Sequence, residues 1–267
     1  MRFMAYNLMD GGLGPGGDRL TSLARVVRSE APDILAVSEA CGFHAAGGPG
    51  PSSERLYTFE RLTGLRGFIL PTESSYFVGV FVRPPLPVAR ADAVRGTFHH
   101  GALAVTVDTG RNRPLVVVAT HLHPFSSTMR VAEAECLSWF AGHVEPSADL
   151  VLMGDLNSVS PLDRSQVPPP AGGWPLRLLT PDGRLDAAPG ALLARAGLTD
   201  AFRHANPDLP GPTDPTPVHA SPEQARLRID FILLGPSLVP RLRGSRVVTD
   251  PPADSASDHY PVVADLE

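Results

Sequence analysis

The stretch Asp149-Leu150-Val151-Leu152-Met153-Gly154-Asp155-Leu156-Asn157-Ser158 constrains this chain more than any other. A short run of β-forming apolar residues ends at a glycine, and an acid and an amide follow with one residue between them. A strand that stops there delivers polar side chains to its carboxyl end, where open α/β sheets hold their ligands. Alternation points Asp155 and Asn157 the same way, an arrangement suited to holding a water. The same residues also make an ordinary Asx-type turn after a strand, so the other strand ends have to decide between the two.

In chain order, a first strand around Arg2–Leu8 leads into a glycine-rich loop at 11–17. A helix follows with Asp18 as N-cap, Leu20, Leu23, Val26 and Val27 on one face, and Pro32 closing it. Ile34–Ser38 is a buried strand ending at Glu39. Residues 42–53 are Gly/Pro/Ser-rich and read as a loop bordering a site, with a short helix over 54–63. Strands are expected around 68–70, 76–82, 102–107 and 115–120, with prolines 84, 85 and 87 separating the second from the third. A helix capped by Ser126 or Ser127 comes next, its core positions including Ala132, Leu137 and Phe140. Residues 161–185 are proline-rich and long enough to form a lid. A helix near 190–197, a proline-rich loop near 207–222, a strand over Leu227–Leu233 and a last strand at Val262–Ala264 complete the chain. Strand-helix-strand followed by hairpin-like strands implies a mixed sheet system, not a doubly wound parallel sheet. No repeat or linker divides the sequence, so a single domain over 1–267 is expected.

Composition removes several classes of function. Hydrophobic residues make up 43% and charged residues 19%, and no apolar run approaches the roughly 20 residues of a membrane span. The N-terminus enters a strand pattern at once, without the basic and apolar regions of a signal peptide, which favours a cytoplasmic location. Cys41 and Cys136 lie far apart, which argues against a disulfide framework or a structural zinc site. All 23 basic residues are arginine, and with 29 prolines and 25 glycines this reflects GC-rich coding. A net charge of −5 provides no field to gather a polyanion, which counts against a dedicated nucleic-acid binder.

Strand after strand ends on a residue of useful chemistry: Asn7, Glu39, His121, Asp155 with Asn157, Asp230, and Asp258 with His259. Each has a bland explanation alone, as a turn former, a cap, a core histidine or, for Asp230, a partner of Arg228. Together the segments Tyr6-Asn7-Leu8, Val37-Ser38-Glu39, Thr120-His121-Leu122, Gly154-Asp155-Leu156-Asn157, Arg228-Ile229-Asp230-Phe231-Ile232 and Ser257-Asp258-His259-Tyr260-Pro261-Val262 resemble, in order and spacing, the motifs of the DNase-I-like endonuclease/exonuclease/phosphatase superfamily. The resemblance spans nearly the whole chain, and the last three motifs are the most specific. It implies a four-layer α/β/β/α sandwich, two mixed β-sheets packed face to face between helices, with the site at one end of the sheets. Ser38 and Ala5 stand where the superfamily often has Gln and Thr or Ser; neither change removes a ligand.

That resemblance and the chemistry of the residues agree on roles. Hard oxygen donors without cysteine suit Mg²⁺ or Mn²⁺, with Glu39 as first ligand and Asn7 and Asp258 beside it. Asp155 orients and deprotonates the attacking water, with Asn157 holding it or a phosphate oxygen. His259 donates to a phosphoryl oxygen while its other nitrogen bonds Asp230, and His121 stabilises developing charge or protonates the leaving oxygen. Asn7, Arg130, Asn157 and His121 are the expected substrate contacts, with His123, Phe125, Arg203, His219 and the 42–53 loop as further candidates. Arg241, Arg243 and Arg246 form either a grip on a nucleic-acid backbone or the solvated charge of an edge strand.

The expected function is therefore metal-dependent hydrolysis of a phosphate mono- or diester by a monomer, first of a small molecule or nucleotide. A DNA or RNA nuclease is the alternative. A lipid-directed enzyme lacks a recognisable membrane-docking face. A non-catalytic binding protein on the same fold would be expected to lose Glu39, Asp155, Asn157 or His259, and all are present.

Overall fold

A computed structural model describes residues 1–14, 16–44, 53–163, 176–221 and 224–267. The elements in chain order are β1 (Arg2–Asn7), α1 (Leu20–Glu30), β2 (Ile34–Ser38), α2 (Glu54–Thr63), β3 (Arg66–Leu70), β4 (Val78–Val82), β5 (Val88–Ala93) and β6 (Ala102–Val107). Then come β7 (Leu115–His121), α3 (Ser127–His143), β8 (Asp149–Asp155), α4 (Ala188–Arg195), β9 (Thr199–Asp200), α5 (Ala201–Ala205), β10 (Asp230–Leu234), β11 (Leu242–Val247), α6 (Ala253–Ala256) and β12 (Val262–Leu266). Two six-stranded mixed sheets result, ordered β11-β12-β1-β2-β4-β3 and β5-β6-β7-β8-β10-β9. This is the expected α/β/β/α sandwich.

Side-chain parity builds the layers. In the first sheet Phe3, Ala5, Ile34 and Ala36 face the second sheet, where Val117, Ala119, Val151, Met153 and Ile232 meet them in one buried cluster. Their neighbours of opposite parity face outward: Met4, Tyr6, Leu35 and Val37 against α1 and α2, and Val118, Leu150 and Leu152 against α3 and α4. Central strands covered on both faces read as continuous apolar runs, which is why β2, β4, β8 and β10 are buried at every position.

The parallel pairs fix where the chemistry sits. β1 and β2 run parallel, joined through α1, as do β7 and β8 through α3. Asn7 lies opposite Ser38, and His121 opposite Asp155. β10 runs antiparallel to β8 with Asp230 opposite Asp155, and β12 runs antiparallel to β1, so the residues just before it arrive at the same end. Continuing the inward rows one step past the apolar core therefore places Asn7, His121, Asp155 and Asp230 between the two sheets at one end.

Several expectations are corrected. β5, absent from the expected strands, follows the prolines as the exposed edge of the second sheet; alanine alternates with Arg90 and Asp92, and such small side chains write only a weak apolar face. β10 begins at Asp230, not Leu227, because residues 227–229 leave the sheet to bridge Asp214. Arg19 holds the N-cap position of α1, with Asp18 accepting from the Leu20 N–H at 2.8 Å. Of the expected border loop and lid, residues 45–52 and 164–175 lie outside the described residues. No helix among the described residues is long and apolar enough to cross a membrane.

Gly154 shows why this strand end needs a glycine. Its φ is +141°, and a Cβ there would collide with the Thr120 carbonyl on the neighbouring strand. Gly154→Ala is expected to lower stability by roughly 3–5 kcal/mol in urea denaturation, since neither backbone can yield without breaking the β7–β8 ladder.

Candidate active site

Asn7 ends β1 and carries its side chain across to the other sheet. Its Nδ2 donates to Glu39 Oε1 at 3.2 Å and to Asp155 Oδ2 at 3.1 Å, while its Oδ1 accepts from the Met9 N–H at 3.0 Å. An amide between two carboxylates must present its N–H groups to them. In this arrangement Asn7 holds two acids in place through Nδ2, while Oδ1, the atom expected to face a metal, also takes the Met9 N–H.

Glu39 follows β2 at a φ of 54°, and the turn facing it holds Met9 and Asp10 at φ of 47° and 55°. Such strained non-glycine backbone persists where surrounding contacts over-determine it. Arg19 bonds the Met9 carbonyl, Arg55 bonds Gly11, and the Asp10 N–H donates to Glu39 Oε2 at 3.0 Å. Burial raises the Glu39 carboxyl against that hydrogen bond.

Asp155 is buried and accepts from the Asn157 N–H at 2.8 Å through Oδ1. This is the Asx turn of the bland reading, and it is also what builds the pair. β8 ends at Asp155, so alternation does not carry Asn157 to the site; a φ of 46° does. Asn157 Nδ2 donates to the Leu122 carbonyl at 3.0 Å, which identifies it as nitrogen, and lies 3.0 Å from His121 Nε2. That ring atom must accept, leaving the proton of His121 on Nδ1, which is buried without a partner. Burial, the largest influence, lowers the His121 pKa and keeps the ring neutral.

Asp230 Oδ2 lies 2.8 Å from His259 Nδ1. Arg228 does not pair with Asp230; it pairs with Asp163 and Asp200. Burial alone would discharge His259, but the charge and hydrogen bond of Asp230, with Asp214 and Asp155 behind, hold it well above the usual histidine value. Burial first, and then the charge of Asp230, pushes Asp155 up to about 6. Ser257 Oγ donates to the Asn7 carbonyl at 2.7 Å, docking the Ser257-Asp258-His259 segment onto β1.

Asp214 belongs to the site and was not foreseen. Its Oδ1 is 3.8 Å from His259 Nε2, and it arrives because the 213–214 segment threads between two others. Asp214 N–H and Leu227 N–H each bond the other residue's carbonyl, and Tyr260 N–H donates to the Thr213 carbonyl. Nothing distinguishes an acid before a proline in a proline-rich loop at the sequence level.

Arg130, expected to touch substrate, is instead fully buried. Its guanidinium bonds Asp186 at 2.9 Å and the carbonyls of His123 and Arg177, pinning α3 to the segment after the lid region. Arg203 is likewise buried against Asp163. Arg241, Arg243 and Arg246 flank or lie on the edge strand β11, paired with Asp149, Glu267 and Glu30. Arg241 and Arg243 stand at the end of the sheets opposite the site, where β8 begins.

The donor set fits a hard divalent cation. Among the described residues Glu39, Asp155, Asp214, Asp230 and Asp258 form no ion pair with arginine; the charged ring of His259 faces Asp155, Asp214 and Asp230, and the charge of Arg177 also acts on Asp214. Half-buried Glu39 and Asp258 are the carboxylates free to bind an ion. Asp155, Asp230 and His259 also bring ligand atoms within 4.8 Å of one another, although the Asp230–His259 hydrogen bond already occupies two of them.

The chain belongs to the Endonuclease/Exonuclease/phosphatase family, whose profile matches residues 6–259. None of the curated protein sequences compared with it matches. Among solved structures it is similar to an endonuclease/exonuclease/phosphatase from Beutenbergia cavernae, at 24% identity and a TM-score of 0.69, covering 100% of this chain and 71% of that one. It is similar to truncated TDP2 from Caenorhabditis elegans at 16% identity and 0.69, covering 98% and 96%. The 3′ phosphatase NExo from Neisseria, bound to a product DNA hairpin, gives 17% and 0.67, covering 100% and 99%. At these identities the likeness extends to the fold.

Two outcomes are expected from this geometry. The Asp155 carboxyl is raised from 3.8 to about 6, so the fold loses stability as pH rises between those values. In EDTA, Asp155→Asn should stabilise the protein at pH 8 by on the order of 2 kcal/mol, with the difference vanishing below pH 4 in thermal unfolding. Arg130→Ala should cost roughly 3–5 kcal/mol in urea denaturation, because Asp186 is left as a buried unpaired charge. A substrate contact would instead weaken binding with stability kept.

Proposed function

We propose that this protein is a divalent-cation-dependent phosphoesterase that hydrolyses a mono- or diester of a small molecule or nucleotide, with residues 1–267 acting as one unit. The observation carrying this reading is the buried Asp155 carboxylate, pushed up to about 6 and set among the Asn7 amide, the Asn157 N–H and a charged His259. A base tuned toward neutrality beside a retained cation is what in-line attack by water on a phosphate requires.

Asp155 takes the proton of the attacking water, and Asn7 and Asn157 fix the direction from which it does so. His259, oriented by Asp230 through Nδ1, turns Nε2 outward to donate to a phosphoryl oxygen. His121, neutral with Nε2 accepting from the Asn157 amide, positions Asn157 and through it the Asp155 turn. Glu39 and Asp258 would hold a Mg²⁺ or Mn²⁺ ion, whose charge neutralises the phosphoryl oxygens and the leaving group.

A nuclease is the second reading, favoured by the DNA hairpin bound to the similar Neisseria 3′ phosphatase. The paired arginines of β11 and the net charge of −5 favour small substrates here.

Product release from a nucleoside monophosphate, a sugar phosphate, bis-p-nitrophenyl phosphate, an abasic duplex and a single strand, with Mg²⁺ or Mn²⁺ and with EDTA, tests both. Turnover of the small esters should need metal and fall by on the order of 10²–10⁴ in Asp155→Asn and His259→Ala. Cleavage of the polymers alone, dropping steeply with added salt, would carry the nuclease reading instead.

A further inference from the structure

Beside the site, a row of six rings runs from solvent to the catalytic end of the sheets. Phe125, 73% exposed, stands edge-on to His123 at 6.3 Å. His123 lies 4.5 Å from His99, His99 lies 4.4 Å from His100, and His100 stacks on His121 at 4.4 Å with only 20° between planes. Tyr76, 38% exposed, packs 5.3 Å from His100. His121 in turn meets Asn157, so the row ends at the Asp155 turn.

These rings come from three separate segments, before β4, before β6, and the end of β7 with the turn after it, and specific bonds fix them. Buried Glu133 of α3 accepts from the His99 N–H and the His123 N–H, both at 2.7 Å. His123 Nδ1 accepts from the Phe125 and Ser126 N–H groups, which leaves its proton on Nε2, and His100 Nδ1 bonds Ser74 Oγ at 2.9 Å. Burial lowers the pKa of His123, and with its histidine neighbours brings His100 down to about 2. His100, His121 and His123 are thus uncharged at neutral pH and offer an anion no attraction. Packing accounts for buried His100 and His121. It does not account for Phe125, whose ring stands mostly in water; Tyr76, although it hydrogen-bonds Asp10 near Glu39, keeps part of its ring exposed.

We propose that this wall is the substrate subsite and selects phosphoesters that carry a flat, uncharged aromatic ring, a nucleobase or an aryl group, over purely aliphatic or sugar esters. The inference rests on the phosphoesterase reading of the same site. Offset or edge contacts with these rings bind the aromatic group, and His123 Nε2–H supplies a donor at its edge.

The test compares kcat/KM for a nucleoside 5′-monophosphate and ribose 5-phosphate, which share a leaving alcohol and differ in the ring. Wild type should favour the nucleotide by at least about tenfold. Phe125→Ala should lose most of that preference through KM, with ribose 5-phosphate turned over as in wild type. Tyr76→Ala should lose it as well, and Tyr76→Phe should keep it. Equal kcat/KM for the two esters, or equal losses on both in the variants, would overturn the proposal. Calorimetric titration with a free nucleoside and with ribose reads the wall without catalysis. Nucleoside binding that is weakened by Phe125→Ala upholds the wall even if no ester is hydrolysed, and then the phosphoesterase reading fails alone. Absence of both nucleoside binding and ring preference overturns the wall. Phenyl phosphate, titrated alongside, separates a simple aryl ring from a base. A ring preference confined to a single-stranded oligonucleotide would overturn the small-ester form of the proposal.

Discussion

The hydrogen bond from Asn7 Nδ2 to Asp155 Oδ2 joins the two sheets where their apolar core ends. Below it the inward-facing rows are Phe3 and Ala5 on one side, Val151 and Met153 on the other. One residue further along, the same rows present an amide and a carboxylate. Buried polar groups demand partners, so the first pair beyond the core can exist only if the sheets are in register at this end. A slip of one residue in β1 or β8 would turn these groups outward and put Tyr6 or Gly154 in their place. The packing of aliphatic side chains thus sets the geometry of the chemical groups, and the clamp reports that the packing is correct.

Around this clamp, titratable groups are pushed in opposite directions. Asp155 is raised toward neutrality by burial and by Asp230, while His259 is held charged by the carboxylates that surround it. Each shift needs the other's environment: without His259 the three aspartates would repel one another, and without them buried His259 would lose its proton. The cost in stability is carried by ordinary structure elsewhere. Buried Asp163 receives both Arg203 and Arg228, and Arg228 also reaches Asp200 and lies 4.7 Å over the Phe231 ring, one residue after Asp230. That network fixes the start of β10, and with it the carboxylate that orients His259.

The sequence carried much of this, unevenly. Central strands are legible because burial on both faces writes a continuous apolar run, and strand-end residues are legible because parity continues past the run. β5 is illegible because an exposed edge strand imposes only a weak apolar pattern, and Asp214 because its place depends on a loop threading between two distant segments. Arg130 misled for a related reason. An arginine soon after His121-Leu122-His123 looks like a phosphate contact, and only the fold reveals Asp186 closing over it. His123 and Phe125 suggested substrate contact from their position, whereas Tyr76, His99 and His100 complete the row from segments that the sequence does not connect.

The distribution of cations argues for how such a site discriminates. Arg130, Arg203 and Arg228 are buried in structural pairs, and those of β11 are paired at the sheet edge, two of them at its far end. Among the described residues, what faces the site is a surplus of carboxylates that suits a bound cation, one charged imidazole with the charge of Arg177 also acting on Asp214, and a row of rings. A polyanion gripped at several phosphates needs several outward cations and gains affinity mainly from counterion release. On the proposed reading a single phosphate would need only a bound cation and His259. With the electrostatic part confined to one phosphate, discrimination among substrates falls to whatever touches the remainder of the molecule, and along the row from His121 to Phe125 the groups positioned to do so are flat rings.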